Sequence, residues 1–75
     1  MTSVIEKKTR APGRFLRLPE VMARTGLSRS TIYVRLEQGR FPRPVSLGGR
    51  AVGWIEAEVD DWMRARVAAS RSDAE

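Results

Sequence analysis

The 75-residue chain contains no cysteine and no histidine. The absence of cysteine excludes a disulfide bond and a thiolate-ligated zinc site, and the absence of histidine removes the commonest general base and metal ligand. No uninterrupted apolar run approaches the roughly 20 residues that a membrane-spanning helix needs. The first ten residues also lack the apolar segment of a signal peptide. We therefore expect a cytoplasmic protein that holds no metal or cofactor and does not enter a membrane.

What the sequence does have is positive charge, with a net charge of +5 and a pI near 11.1. Residues 1–50 hold 11 Lys or Arg and 3 Asp or Glu, whereas residues 51–75 hold 3 and 6. A chain of this length forms one small domain with a modest core. A basic surface concentrated on one part of such a domain suits a polyanionic partner, although a solvated surface with a basic bias is the simpler alternative.

Residues 18–37 are the most informative stretch, and they predict two short helices joined by a tight turn. The first helix covers about Pro19–Thr25, because proline is favourable in a first helical turn. Gly26 ends it, since glycine adopts the left-handed conformation without a Cβ penalty. Its apolar side consists of residues at helical spacing: Val21, Met22 and Thr25.

The second helix is predicted over about Arg29–Gln38, with Ser28 as its N-cap and Gly39 as its end. Ile32 and Leu36, four residues apart, should face the core. The residues predicted on the opposite side are Arg29, Ser30 and Tyr33. Two short helices with a Gly-containing turn and a polar, basic outer face are typical of a DNA-binding helix-turn-helix. A plain helical hairpin is the alternative interpretation.

The segment after the second helix predicts a β-hairpin that forms a wing. Pro42 and Pro44 exclude helix, and Gly48-Gly49 favours a type I′ turn, which needs positive φ at both positions. Strands are expected over Val45–Leu47 and Ala51–Trp54, and Arg50 lies beside the tip. The side chains expected to pack on the helices are Val45, Leu47, Val52 and Trp54. A hairpin without a binding role is the alternative.

A third helix is predicted from about Glu56 to Ala69. Acidic residues crowd its first turns, where the helix dipole favours negative charge, and we expect this acidic face to point away from DNA. Trp62 and Met63 are interpreted as core residues, and the Arg66 stem can snorkel beside them. The full apolar side consists of Ile55, Val59, Trp62, Met63, Arg66 and Val67.

The chain is thus divided into a flexible basic N-terminal arm at residues 1–14, a winged helix-turn-helix domain at residues 15–69 and a flexible tail at residues 70–75. Such an arm can follow a DNA backbone or enter a minor groove, or it is simply a disordered terminus. Phe15 and Leu16, which lead into the first helix, should pack under the two helices. The fold class is mainly α with a small β-hairpin.

Four segments in this order resemble the AlpA family of small phage and prophage regulators: RLPEV, GLSRSTIY, GRFPRPVSLGGRAVGW and EVDDW. The resemblance covers roughly residues 15–66. This family is similar to the MerR group and to phage excisionases. It implies a winged helix-turn-helix that binds double-stranded DNA as a transcription regulator or as a recombination directionality factor (excisionase) beside an integrase. It does not choose between these two roles.

The resemblance also implies that the second helix enters the major groove, which assigns DNA contacts to Ser28, Arg29, Ser30, Thr31 and Tyr33. Many relatives have a basic residue directly after the tyrosine, whereas this chain has Val34 there and a basic residue next, at Arg35. The resemblance therefore does not decide which residue near Val34 contacts a base.

Side-chain chemistry predicts the role of each contact. Arg29 is the best candidate for direct readout, because arginine pairs bidentately with guanine O6 and N7. Ser30 and Thr31 suit phosphate oxygens or a thymine methyl. Phosphate contacts, which position without specifying sequence, are expected from Arg35, Arg40 and Arg43. Arg50 could reach a phosphate or the minor groove, and solvated surface charge is the alternative for every arginine.

An enzyme is not expected, because the sequence shows no nucleophile–base pair and no phosphate-binding loop. A protein-interaction module that binds integrase or polymerase, with only weak DNA binding, is the alternative function. The DNA footprint of one small unit is short, so tight binding requires more than one copy. A dimer and head-to-tail assembly along the DNA are both open.

Overall fold

A computed structural model describes residues 13–73 of the chain, so most of the predicted N-terminal arm lies outside the described residues. This part contains three strands and three helices. In chain order they are β1 (Phe15–Leu16), α1 (Leu18–Thr25), α2 (Arg29–Glu37), β2 (Val45–Gly48), β3 (Ala51–Ile55) and α3 (Glu56–Asp73). A mainly helical chain with a small antiparallel sheet, whose hairpin follows the first two helices, is the predicted winged helix-turn-helix.

The ends of α1 and α2 are set by local hydrogen bonds. At the start of α1 the Glu20 carboxylate accepts a 2.9 Å hydrogen bond from the backbone N–H of Arg17. Gly26 ends the helix with φ of 78° and donates its N–H to the Met22 carbonyl oxygen. The Ser28 hydroxyl then accepts from the Thr31 N–H at 3.2 Å, which starts α2. The sequence predicted the ends at Gly26 and Ser28, whereas α1 begins one residue before the predicted Pro19 and α2 ends one residue before the predicted Gln38.

A third strand, which the sequence did not predict, joins the hairpin. The strand order is β1-β3-β2, and in β1 Leu16 pairs with Trp54 and Phe15 with Ile55. Leu16 is buried, whereas Phe15 is 44% exposed. The expectation that both residues pack under the helices is therefore correct for Leu16 and wrong for Phe15, because successive strand residues face opposite sides of a sheet.

The face assignment predicted for the wing is wrong. The pairs between β2 and β3 are Val45 with Gly53, Ser46 with Val52 and Gly48 with Ala51. Because paired residues share a face, Val52 and Trp54 lie on one side of the wing and Val45 on the other. Only Trp54 of the four predicted side chains is buried, while Leu47 and Val52 are exposed at 37% and 40%.

The turn of the wing lies one residue later than predicted. Gly48 still pairs with Ala51, so the two-residue connection is Gly49-Arg50, and a register irregularity follows Ser46. Positive φ is present where it was expected, with 107° at Gly48 and 57° at Gly49. Arg50 therefore stands in the turn itself rather than beside it.

The core lies where α1, α2 and α3 meet the sheet. Its buried residues are Leu16, Val21, Ile32, Phe41, Trp54 and Val59. Trp62 and Met63 are only partly buried against this cluster, so Trp54 is the fully buried tryptophan. Phe41, in the connection from α2 to the wing, was not predicted as a core residue.

The helix α3 runs to Asp73 and not to Ala69, so residues 70–73, predicted as tail, continue it. No glycine or proline follows Ala69 to stop the helix earlier. Val67 was placed on the apolar side but is 47% exposed. The last turns of α3 therefore extend past the core that its first turns cover.

Candidate nucleic-acid interface

Hydroxyl groups cluster at the N-terminus of α2. The Ser28 hydroxyl donates to the Thr31 hydroxyl at 2.9 Å and lies 3.3 Å from that of Ser30. Arg29, the first residue of the helix, is exposed beside them. Free N–H groups at a helix N-terminus together with hydroxyls and a guanidinium form a surface of donors that fits anionic oxygens and base edges.

The orientation of α2 is fixed by its two apolar residues. Ile32 is fully buried and Leu36 packs against the core, so the opposite face of the helix points to solvent. Tyr33 and Val34 are 47% and 49% exposed on that outer side. Ser30 is also exposed there, so the structure brings two of the predicted contacts, Ser30 and Tyr33, onto one open face.

Val34 belongs to this face although no contact was assigned to it from the sequence. Its position, two residues after buried Ile32, turns it about 200° away from the core. Helical spacing therefore could have identified Val34 as an outer residue. Thr31 and Arg35 are half-buried and lie on one flank of α2, toward α3.

The other predicted arginines lie after α2 and in the wing. Arg40 follows its C-terminus, Arg50 stands in the wing turn, and both are exposed. Arg43 lies with Leu36, Glu37 and Pro44 in a shallow depression of about 300 Å³, just before β2 begins. Arg40 and Arg43 therefore lie near the C-terminal end of α2, and Arg50 lies at the tip of the wing.

Carboxylates neutralise a different set of arginines. Glu56 pairs with Arg14 at 3.2 Å and with Arg24 at 3.0 Å, and Asp60 pairs with Arg24 at 2.8 Å. Arg14 also pairs with Glu20, and Arg64 with Asp61. Within the described part of the chain, none of the arginines predicted to contact DNA forms an ion pair: Arg29, Arg35, Arg40, Arg43 and Arg50. The positive charge of α2 and the wing is therefore uncompensated by these acids.

A cleft of about 690 Å³ separates α2 from α3. Trp62 and Arg66 of α3 form one wall, and neither was assigned to a binding surface from the sequence. The residues contributed by α2 and the chain directly after it are Ser30, Thr31, Val34, Arg35, Gln38 and Arg40. The Arg35 guanidinium carbon lies 6.0 Å from the centroid of the Trp62 ring, at the limit of a cation–π contact.

Residues 13–73 contain neither an acidic metal site nor a membrane-spanning helix. No group of three or more acidic side chains lies close enough together to hold a metal ion. The three helices of this range are also too polar or too short to cross a bilayer.

The model of the family described as "Prophage CP4-57 regulatory protein (AlpA)" matches residues 14–67. The chain belongs to the AlpA family. It is 44% identical over 63 residues to the DNA-binding transcriptional activator AlpA of Escherichia coli, which covers 76% of this chain and 90% of that protein.

A second relative is the protein described as "Uncharacterized protein ORF88" of Enterobacteria phage P4. It is 58% identical over 55 residues, which is 73% of this chain and 62% of the phage protein. The AlpA match includes α1, α2, the wing and α3 as far as Val67. Every predicted contact, from Ser28 to Arg50, and the cleft residues Trp62 and Arg66 lie inside it.

Proposed function

We propose that the protein binds double-stranded DNA and acts as a small regulator of a phage or prophage. The observation that carries this proposal is the open face of α2 together with five arginines, on α2, directly after it and in the wing turn, that form no ion pair within the described residues. The E. coli relative, 44% identical, is a DNA-binding transcriptional activator, which supports the same conclusion for this chain. In this proposal α2 is the recognition helix, and the wing lies along the adjacent backbone or minor groove.

The N-terminal half of α2 supplies the sequence readout. Arg29 is exposed and pairs with guanine O6 and N7, the commonest specific arginine contact in the major groove. The hydroxyls of Ser28, Ser30 and Thr31 reach phosphate oxygens or a thymine methyl. Tyr33, nearly half exposed, offers its hydroxyl to a phosphate and its ring to the sugars.

The other arginines position the protein on the duplex. Arg35, Arg40, Arg43 and Arg50 contact phosphates, and these contacts carry no sequence information of their own. Arg50 makes its contact from the wing turn. Specificity should therefore depend on Arg29, while overall affinity depends on the whole set.

A selection experiment tests the proposal. The protein is incubated with a pool of random duplexes, the bound fraction is amplified over several rounds, and the enriched duplex is titrated beside a scrambled one. We expect an enriched sequence that is bound more tightly than its scrambled form. No enrichment, or equal binding to single-stranded DNA of the same sequence, contradicts the proposal.

The biological role divides into two hypotheses, which footprinting on DNA next to the gene separates. Protection of a promoter supports a transcription regulator. Protection of several repeats in an attachment site supports an excisionase that assists an integrase. In either case we propose that more than one copy binds, as a dimer or head to tail, and the number of shifted species in a titration distinguishes one copy from several.

A second candidate function is protein interaction through the outer side of α3. A groove of about 760 Å³ contains Met63, Val67 and Ala68 between charged residues, and Val67 is 47% exposed. An integrase or polymerase is the partner expected for this function. Salt-insensitive binding to such a protein, together with an absence of binding to any duplex, favours it over DNA recognition.

A further inference from the structure

The cleft between α2 and α3 is a second positively charged surface, which adjoins the face that α2 presents outward. Three of its eight lining residues are arginines, namely Arg35, Arg40 and Arg66, and the lining includes no acidic side chain. The remaining polar groups are those of Ser30, Thr31 and Gln38. A concave surface with this composition attracts an anion.

The wall of this cleft is held rigidly. The Trp62 indole N–H donates a 2.8 Å hydrogen bond to the carbonyl oxygen of Arg40. The Trp62 ring also packs edge-on against Phe41, with 4.8 Å between centroids. Arg66 lies one turn after Trp62 on the same side of α3. The backbone of Arg40 and the position from which Arg66 extends are therefore fixed before any ligand binds.

The cleft lies on the flank of α2 opposite the chain that leads into the wing. Leu36 and Glu37 of α2 meet Arg43 and Pro44, which come directly before β2. Arg35 and Gln38, on the other flank, face Trp62 and Arg66. A helix in the major groove has one sugar–phosphate strand on each side. With α2 in the major groove, the wing side and the cleft side of the helix therefore lie next to different strands of the duplex.

We propose that this cleft binds a backbone phosphate of duplex DNA with Arg66 as its guanidinium donor, at a linkage other than the one that Arg40 contacts. The inference rests on the proposed function, because it adds a contact to the same complex. The planar guanidinium fork matches two phosphate oxygens, and Thr31 supplies a hydroxyl beside them. Arg66 thus becomes a DNA contact outside the helix-turn-helix and the wing.

Duplex DNA fits the cleft better than a separate acidic peptide. Ser30 and Val34 line the cleft and also belong to the exposed outer face of α2. A polyanion that lies against the outer face can therefore extend directly into the cleft. One duplex can occupy both surfaces, whereas a peptide in the cleft would compete with DNA at Ser30.

The test compares Arg66→Ala with Arg64→Ala, a matched control on the same helix. The two side chains point about 200° apart around α3, and Arg64 pairs with Asp61 at 2.8 Å outside the cleft. Arg66→Ala should weaken binding about tenfold on enriched and scrambled duplexes alike. It should also reduce the slope of log K against log salt by about 0.9. Arg64→Ala should retain the parent slope.

A scan with neutral phosphates locates the contact. Each duplex of a series carries one methylphosphonate linkage, and its affinity is measured for the parent and both variants. The parent should lose affinity at a linkage where Arg66→Ala loses nothing further, while Arg64→Ala keeps the parent pattern. Because Arg66 is exposed, Arg66→Ala should melt at the same temperature as the parent. Equal melting temperatures exclude misfolding as the cause of the weaker binding.

The outcomes separate this inference from the function on which it rests. If the parent binds no duplex at low salt, both are overturned. If the parent binds and Arg66→Ala matches Arg64→Ala in slope and in the methylphosphonate pattern, only the cleft assignment is overturned. Unchanged DNA affinity of Arg66→Ala with lost binding to poly-glutamate also overturns it, in favour of an acidic peptide.

Discussion

The indole N–H of Trp62 donates a hydrogen bond to the carbonyl oxygen of Arg40, 22 residues earlier in the chain. Trp54 makes the same kind of bond, at 2.9 Å, to the carbonyl oxygen of Pro42. Phe41 lies between the two bonded carbonyls and packs edge-on against both tryptophan rings. These contacts hold the connection between α2 and the wing, so they fix how α2 stands relative to the wing.

The two tryptophans should contribute unequally to stability. Trp54 is 1% exposed, so Trp54→Ala leaves a cavity and should cost about 3–5 kcal/mol. Trp62 buries less area, and we expect Trp62→Ala to cost about 2 kcal/mol. Trp62→Phe, which keeps a ring but removes the N–H donor, should cost about 1 kcal/mol. Urea denaturation of the three variants measures this order, and an equal loss for Trp54→Ala and Trp62→Ala contradicts it.

Gly53 is required by close packing in the wing. A Cβ at this position would lie 2.9 Å from Leu47 Cδ1 and 3.1 Å from the Leu16 carbonyl oxygen. The end of the Leu47 side chain can move, but the Leu16 carbonyl belongs to the backbone of β1. Gly53→Ala should therefore lower the free energy of unfolding by about 1–3 kcal/mol.

The control for Gly53→Ala is a double variant that also carries Leu47→Ala. Thermal melting measures the stability of both variants. Removing the Leu47 side chain relieves the 2.9 Å contact and leaves the one with the Leu16 carbonyl oxygen. We expect the double variant to recover only part of the lost stability. A Gly53→Ala protein that melts like the parent shows that β1 and the wing are not packed as described.

Arg29 and Arg50 should affect DNA binding in different ways. Arg29→Ala should cost about 1–3 kcal/mol on the enriched duplex and much less on a scrambled one, because it removes a base contact. Arg50→Ala should weaken both duplexes evenly and lower the salt slope by about 0.9. Titration of each variant against both duplexes at two salt concentrations gives these values.

Both arginines are exposed, so neither change should shift the melting temperature much, and this serves as the control. Equal losses on the two duplexes for Arg29→Ala remove it from the readout. Specificity would then have to come from another contact, and the wing is the next surface to test.

Local signals in the sequence were sufficient for the helix-turn-helix. Ser28 and Gly26 set helix ends through bonds to residues three or four positions away, and such bonds can be inferred from spacing alone. The strand at Phe15–Leu16 could not be inferred in this way, because its partner is Trp54–Ile55, about 40 residues later. The wing faces were mispredicted because the irregularity after Ser46 moves the turn by one residue and so changes the register.

Only part of the candidate site could be predicted, because local patterns identify the residues of one helix but not contacts between distant elements. Ser30 and Tyr33 are outer residues of one helix, and helical periodicity identified them. Val34 follows the same periodicity and was not used. Arg66 and Trp62 face Arg35 and Arg40 only because α3 folds back beside α2, a tertiary relationship that no local pattern contains. Which arginines form ion pairs likewise depends on where α3 places Glu56 and Asp60.

The salt dependence of duplex binding tests the central claim most directly. The association constant of the parent for the enriched duplex is measured from about 50 to 200 mM salt, the range in which phosphate contacts show most clearly. Four phosphate contacts from Arg35, Arg40, Arg43 and Arg50 predict a slope of log K against log salt of about −3 to −4, and steeper if Arg66 contributes. A flat response, or no binding to duplex DNA at the lowest salt, contradicts the account.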